Sequence, residues 1–114
     1  MKKIISILLL AAFSITLFAG CSNSASNENE IKIGINYELS GNNATYGQGS
    51  VEGIKLAVEQ INAEGGINGK KIVLVEYDNK SDPAEATSIS TRLMTKDKVA
   101  AVIGPATTGC FKAT

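Results

Sequence analysis

Hydrophobic and polar residues alternate from Ile31 to Leu39, placing Ile31, Ile33, Ile35, Tyr37 and Leu39 on one side of an extended chain that Ser40-Gly41 closes. Period-two alternation bounded by turn residues predicts a strand followed by a loop. Past the loop from Ser40 to Gly47 the period changes: Val51, Ile54, Ala57, Val58 and Ile61 recur at helical spacing until Gly65-Gly66. This predicts an amphipathic helix covering a sheet. Beyond Asn68-Gly69, the segment Lys71 to Tyr77 holds the unbroken run Ile72-Val73-Leu74-Val75. Such a run is expected of a strand buried on both faces. Asn-Gly can also close a hairpin, although no strand-like run comes directly before it.

Asp82-Pro83-Ala84-Glu85 supplies an N-cap acceptor, a proline at the first helical position and a glutamate at the third. The reciprocal contacts of a capping box are therefore available, and a helix from Pro83 to about Lys96 is predicted, its apolar stripe Ala86, Ile89, Leu93 and Met94. It leads to Val99-Ala100-Ala101-Val102-Ile103, an apolar strand ending at Gly104-Pro105. The order βαβαβ specifies an α/β fold with a parallel sheet, right-handed crossovers and a ligand edge beyond the carboxyl ends of the strands. Three loops meet at that edge: Leu39 to Gly47, Asp78 to Asp82 and Gly104 to Gly109. Ala106-Thr107-Thr108-Gly109 opens a further helix, whose free N–H groups and dipole favour a carboxylate. Thr107 or Thr108 can N-cap that helix, hold a ligand, or do both.

The amino terminus adds a segment of different character. Met1-Lys2-Lys3 is positive, Ile4 to Phe18 is a run of fifteen mostly apolar residues, and Ala19-Gly20 are small, which is the layout of a secretory signal over residues 1–20. Fifteen residues fall short of the roughly 20 that span a bilayer as a helix, so a permanent transmembrane anchor is the weaker reading. Phe18-Ala19-Gly20-Cys21 resembles the bacterial lipoprotein signal, with Phe18 where leucine is usual and Cys21 as the lipidated residue. An ordinary cleaved signal would instead leave Cys21 as a surface thiol. Residues 21–30, built from Ser, Asn, Ala and Glu after the cysteine, read as a flexible tether, and 31–114 as the folded part.

Composition then narrows the chemistry. The 114 residues carry 11 basic and 11 acidic side chains and no histidine. Loss of the signal takes Lys2 and Lys3 with it, leaving nine basic side chains against 11 acidic. No basic stripe exists to neutralise phosphates, which argues against a nucleic-acid partner. Without histidine there is no Ser-His or Cys-His nucleophile pair and no imidazole metal site within this chain, which excludes much familiar hydrolytic chemistry. No catalytic residue, metal or cofactor is expected. With Cys21 lipidated, Cys110 stands alone and no intramolecular disulfide can form. Cys110 is expected to be a buried helix residue, a reactive thiol at a helix start being the alternative.

The export signal, Ile-Lys-Ile-Gly-Ile, Ser40-Gly41 through Tyr46-Gly47, Gly65-Gly66-Ile67-Asn68-Gly69-Lys70, Tyr77-Asp78, Asp82-Pro83 and Gly104-Pro105-Ala106-Thr107-Thr108-Gly109 occur in that order. Together they resemble the start of a type 1 periplasmic-binding-protein-like solute-binding lipoprotein of a branched-chain amino acid ABC transporter. The resemblance implies two α/β lobes that close on an amino acid, of which 31–114 would be the N-terminal part of the first. It further implies that Tyr46 packs against the ligand side chain, that Thr108 binds the α-carboxylate, and that Ala106 and Thr107 line the pocket. A gap-filling anchor over the sheet is the plainer role for Tyr46. Some relatives join the loops after the second and third strands by a disulfide; Ser81 and Thr107 stand at those places here. The implied partners are an amino acid, a membrane permease and the lipid on Cys21. The complete protein is expected to be a monomer, lipid-anchored at the cell membrane and facing the extracytoplasmic side, and this chain only its N-terminal portion.

Two other classes compete. A nucleotide enzyme would use Gly47, Gly49 and Gly53 before Asp78, but the spacing is G-x-G-x-x-x-G and the loop from Leu39 to Gly47 is long for a pyrophosphate turn. Asp78 as a loop-stabilising carboxylate is the favoured alternative. A ligand-sensing domain of the same fold is the second, and a downstream transmembrane helix would distinguish it.

Overall fold

The structure, a computed structural model, describes residues 28–114. The expected signal over residues 1–20, the lipidation at Cys21 and the tether as far as residue 27 lie outside the described residues. Strand β1 (Glu30–Tyr37), helix α1 (Ala44–Ala63), strand β2 (Lys71–Asp78), helix α2 (Pro83–Arg92), strand β3 (Ala101–Ile103) and helix α3 (Thr108–Ala113) follow one another along the chain. All three strands are parallel, in the order β2-β1-β3. The α/β, βαβαβ expectation holds. Asn29 already accepts from the Lys71 N–H, so pairing begins just before the predicted strand start.

Register decides which helix covers which face. Glu76 lies beside Ile35 and reaches Lys55 of α1 at 2.9 Å, so α1 covers the face of β1 bearing Ile35. Tyr77 lies beside Asn36; its hydroxyl bonds Asp97 and its ring lies under the Arg92 guanidinium, so α2 and the turn after it cover the opposite face. A Cβ on Gly34 would meet Leu93 on that second face. The central strand is thus covered on both sides, and Ile35, Asn36 and Glu38 are all fully buried. Alternation predicted only the odd positions inside. Asn36 and Glu38 are buried as well because two further strands flank β1 and helices lie above and below it.

The helices differ from expectation in extent. Helix α1 starts at Ala44, so Tyr46 and Gly47 belong to its first turn and not to the loop. Of its predicted stripe, Val51 is buried, Ile54 and Val58 are half-buried, and Ala57 and Ile61 are exposed. The sheet-facing line runs instead to Asn62, whose side chain donates to Ile72 O and accepts from Ile72 N, both at 2.8 Å, clasping the start of β2. Helix α2 passes at Leu93 into a π-helical turn, Leu93–Asp97, ended by Lys98 in the left-handed region, and this rotation leaves Met94 exposed. Half of the capping box forms: Asp82 accepts from Glu85 N at 2.9 Å, while the Glu85 carboxylate turns to Lys80. Asn68 and Gly69, both at positive φ, close a single antiparallel bridge between Ile67 and Lys70. That is a two-residue hairpin turn with a strand, β2, on its far side only.

The strands β2 and β3 form the two edges of the described sheet. Val73, Leu74 and Val75 are therefore half-buried and Ala101 and Ile103 exposed, where continuous apolar runs predicted strands covered on every side.

Candidate functional site

At the carboxyl ends of the strands the first two loops are tied together by side chains. Asp78 accepts from Leu39 N at 2.9 Å, Ser40 N at 3.1 Å, Ser40 Oγ at 2.6 Å and Lys80 N at 2.8 Å. Ser81 Oγ donates to Ser40 O and accepts from Asn43 N. Lys80 and Ser81 both adopt left-handed backbone conformations, which cost about 1–2 kcal/mol per non-glycine residue. The Asp78 and Asn79 side chains, bonded to the N–H groups of Lys80 and Ser81, hold them there. Asp78 is thus the loop-stabilising carboxylate, with its oxygens occupied. A Cβ on Gly47 would meet the Glu38 backbone, whereas Gly49 and Gly53 face open space. Only Gly47 is required for helix packing, and with the Asp78 oxygens taken by the loops the nucleotide reading is set aside.

Burial alone would push the Asp78 carboxyl up, but the Ser40 hydroxyl and the N–H groups of Lys80, Leu39 and Ser40 outweigh it and hold the group below its ordinary value. A lowered folded-state value contributes stability that is present above the unfolded value of about 3.9 and lost as pH falls through the folded one. Urea unfolding at a series of pH values is expected to show stability dropping below about pH 4. Asp78→Asn should lower stability at neutral pH and flatten that acid limb; an unchanged acid limb would overturn the assignment.

The third loop is held by Glu38. Its Oε2 accepts from Ala106 N at 3.0 Å, and its Oε1 accepts from Thr107 N at 3.2 Å and Thr107 Oγ1 at 2.7 Å. Burial opposes ionisation, yet the Ala106 N–H, the Thr107 hydroxyl, its own N–H and the Thr107 N–H together keep the carboxyl below its usual range. No ion pair among the described residues involves Glu38. Gly104, at φ 103°, sits where a side chain would strike Asn36 O and the Tyr37 ring, which brings the third loop onto the end of β1.

The predicted site residues fall as follows. Ala106 and Thr107 are together on Glu38, and Tyr46 is joined to them through its neighbour Gly47, which rests on the same residue's main chain. Tyr46 is 70% exposed and fills no gap over the sheet. Thr107 takes the N-cap position of α3, but its hydroxyl bonds Glu38 and makes no cap. Thr108 is exposed, and neither its hydroxyl nor its N–H has a partner among the described residues. Cys110 is buried; burial raises its thiol and the Glu38 charge adds to this against the Thr107 hydroxyl, so it is no activated thiolate. Among the described residues no cluster of acidic or cysteine side chains could hold a metal ion. An open concavity lined by Glu28, Asn29, Glu30, Gly69 and Lys71 lies at the opposite, amino ends of β1 and β2.

Sequence reasoning missed Glu38, Asn36 and Asn79. The one signal for Glu38 and Asn36 was a polar residue in a strand whose neighbours on both sides are apolar runs, which makes that strand central and its second face a buried one.

A family model described as "Periplasmic binding protein" matches residues 30–114. The Leu/Ile/Val-binding protein of Escherichia coli K12 is 39% identical over 93 residues, which cover 77% of this chain and 25% of that protein. The crystal structure of the branched-chain amino acid transporter substrate binding protein LivJ from Streptococcus pneumoniae, in complex with isoleucine, superposes with a TM-score of 0.73 at 55% identity, covering 74% of this chain and 24% of that one. A fatty acid ABC transporter substrate-binding protein from Thermomonospora curvata superposes at 0.69 with 32% identity, over 75% and 21% of the two chains. This chain therefore spans about a quarter or less of each relative's length. The family match takes in every strand and helix of the described fold, and the superposition covers about three quarters of the chain: the chain belongs to the periplasmic binding protein family, in its type 1 architecture.

Proposed function

We propose that this chain is the N-terminal part of the first lobe of an extracytoplasmic solute-binding protein that captures amino acids for an ABC transporter. Leucine, isoleucine and valine are the leading ligands. The observation that carries this reading is the distribution of donors on the third loop: Ala106 and Thr107 are committed to Glu38, while the Thr108 hydroxyl and N–H stay unclaimed at the carboxyl edge of the sheet. Thr108 takes the ligand's α-carboxylate, Ala106 and Thr107 line the pocket, and the exposed Tyr46 ring packs against the ligand side chain. A second lobe, beyond this chain, supplies the ammonium partner and closes by hinge motion, so capture is reversible and involves no chemistry. The share of each relative's length that the chain spans, and the exposed Ile103 and Phe111, support a longer protein around this segment. Lipidation of Cys21 holds that protein at the membrane beside its permease.

Calorimetry on the complete protein tests this. Binding of at least one aliphatic amino acid is expected, and Thr108→Ala should weaken it by about 1–3 kcal/mol, the cost of leaving a charged or polar group unpaired. That is roughly 5- to 150-fold in Kd. Absence of binding to leucine, isoleucine and valine would overturn the ligand class, and an unchanged Thr108→Ala affinity the carboxylate role.

A further inference from the structure

Glu38 is a fully buried carboxylate with no cation within ion-pair distance among the described residues. Its charge is met by hydrogen bonds alone, three of them from Ala106 and Thr107 and others from its own N–H and the Cys110 thiol. Holding two loop residues in place does not require a charge, since a neutral amide oxygen accepts from N–H and hydroxyl donors as well. What an uncompensated buried charge does provide is a fixed field at the ligand edge. We infer that Glu38 is a specificity-determining residue, whose negative charge makes this edge favour zwitterionic amino acids over carboxylates that carry no ammonium group. This rests on the proposed amino-acid function.

The geometry gives the sign. Thr107 Oγ1 lies 2.7 Å from Glu38, and Thr108, the proposed carboxylate holder, is the next residue, about 3.8 Å along the chain. Any anion held by Thr108 adds a second negative charge close to the first, and the first, being buried, is screened less than a charge in open solvent. The donors that would otherwise reward that anion, the N–H groups of Ala106 and Thr107, are already committed to Glu38. An amino acid brings its own ammonium and enters with no net charge, whereas its 2-oxo analogue enters as an anion. Both present the same alkyl side chain.

The test is competition calorimetry on the complete protein with L-leucine and 4-methyl-2-oxopentanoate, for wild type and Glu38→Gln. The ratio of the 2-oxo acid's Kd to that of leucine is expected to fall by about tenfold or more in Glu38→Gln, the scale of a charge pair at such separations. A role confined to packing would weaken both ligands alike. A ratio that does not change, or a 2-oxo acid that still fails to compete in the variant, overturns the inference while leaving the amino-acid function standing. A wild-type protein that binds no amino acid overturns the proposed function and this inference with it. Should Glu38→Gln fail to fold, Glu38→Met, of similar volume and uncharged, is measured in the same way with the same expected fall.

Discussion

Gly47→Ala is expected to destabilise the complete protein by about 3 kcal/mol, the upper part of the range for overpacking a well-filled site. A Cβ at this position would strike Glu38 O and Glu38 C. These are main-chain atoms at the end of the central strand, and no rotamer change can move them aside. Relief requires α1 to shift as a whole, which displaces Tyr46 in its first turn. Ligand affinity should fall along with stability. The internal control is Gly49→Ala, two residues further along the same helix, where a Cβ meets nothing within 4 Å. Alanine there removes the glycine penalty of a helix interior, so a gain of about 0.5–1 kcal/mol is expected. Urea unfolding with a common m-value reads both as midpoint shifts of opposite sign. Equal shifts for the two variants would show that the approach of α1 to Glu38 is looser than the geometry requires.

The elements that sequence reading located well are those fixed by local chemistry. Asp82-Pro83 places the start of α2 because cap, proline and first turn are all encoded within four residues, and Gly65-Gly66 stops α1 through two positive-φ positions. Strand order and face coverage depend on partners far along the chain, and there the reading stopped short. Alternation in β1 is what a half-covered strand shows, yet α2 and the turn after it cover its even face, so Gly34, Asn36 and Glu38 are inside. The start of α1 is not legible in the sequence, because Asn43 makes no side-chain cap and Ala44-Thr45-Tyr46-Gly47 reads as loop composition. For the site itself, the loops and the residues Tyr46, Ala106, Thr107 and Thr108 were legible from topology and resemblance. The partition of donors between Glu38 and Thr108 was not, because it joins residues 68 and 69 positions apart.

The other large effect is expected at Asn36. Its Nδ2 donates to Ala86 O at 2.8 Å and to Ser90 Oγ at 2.9 Å, and its Oδ1 accepts from Asn79 Nδ2 at 3.1 Å, with both Asn36 and Asn79 fully buried. Asn36→Ala strands the Asn79 amide, deprives Ser90 of its partner and leaves a small void beneath α2. An unsatisfied buried group costs about 1–3 kcal/mol and the void adds to it, so a loss of about 3 kcal/mol is expected. The damage should also travel outward. Asn79 Oδ1 holds the Ser81 N–H, and Ser81 Oγ ties the second loop to Ser40 and Asn43 at the ligand edge. Hydrogen exchange in Asn36→Ala should therefore accelerate at Ser81 and Asn43 as well as in α2. Pairing the change with Asn79→Ala separates network from packing. If the two side chains act as one unit, the double variant loses clearly less than the sum of the singles, whereas additive losses would mean that the Asn36–Asn79 bond carries no coupling and that Asn36 acts through Ala86, Ser90 and its volume.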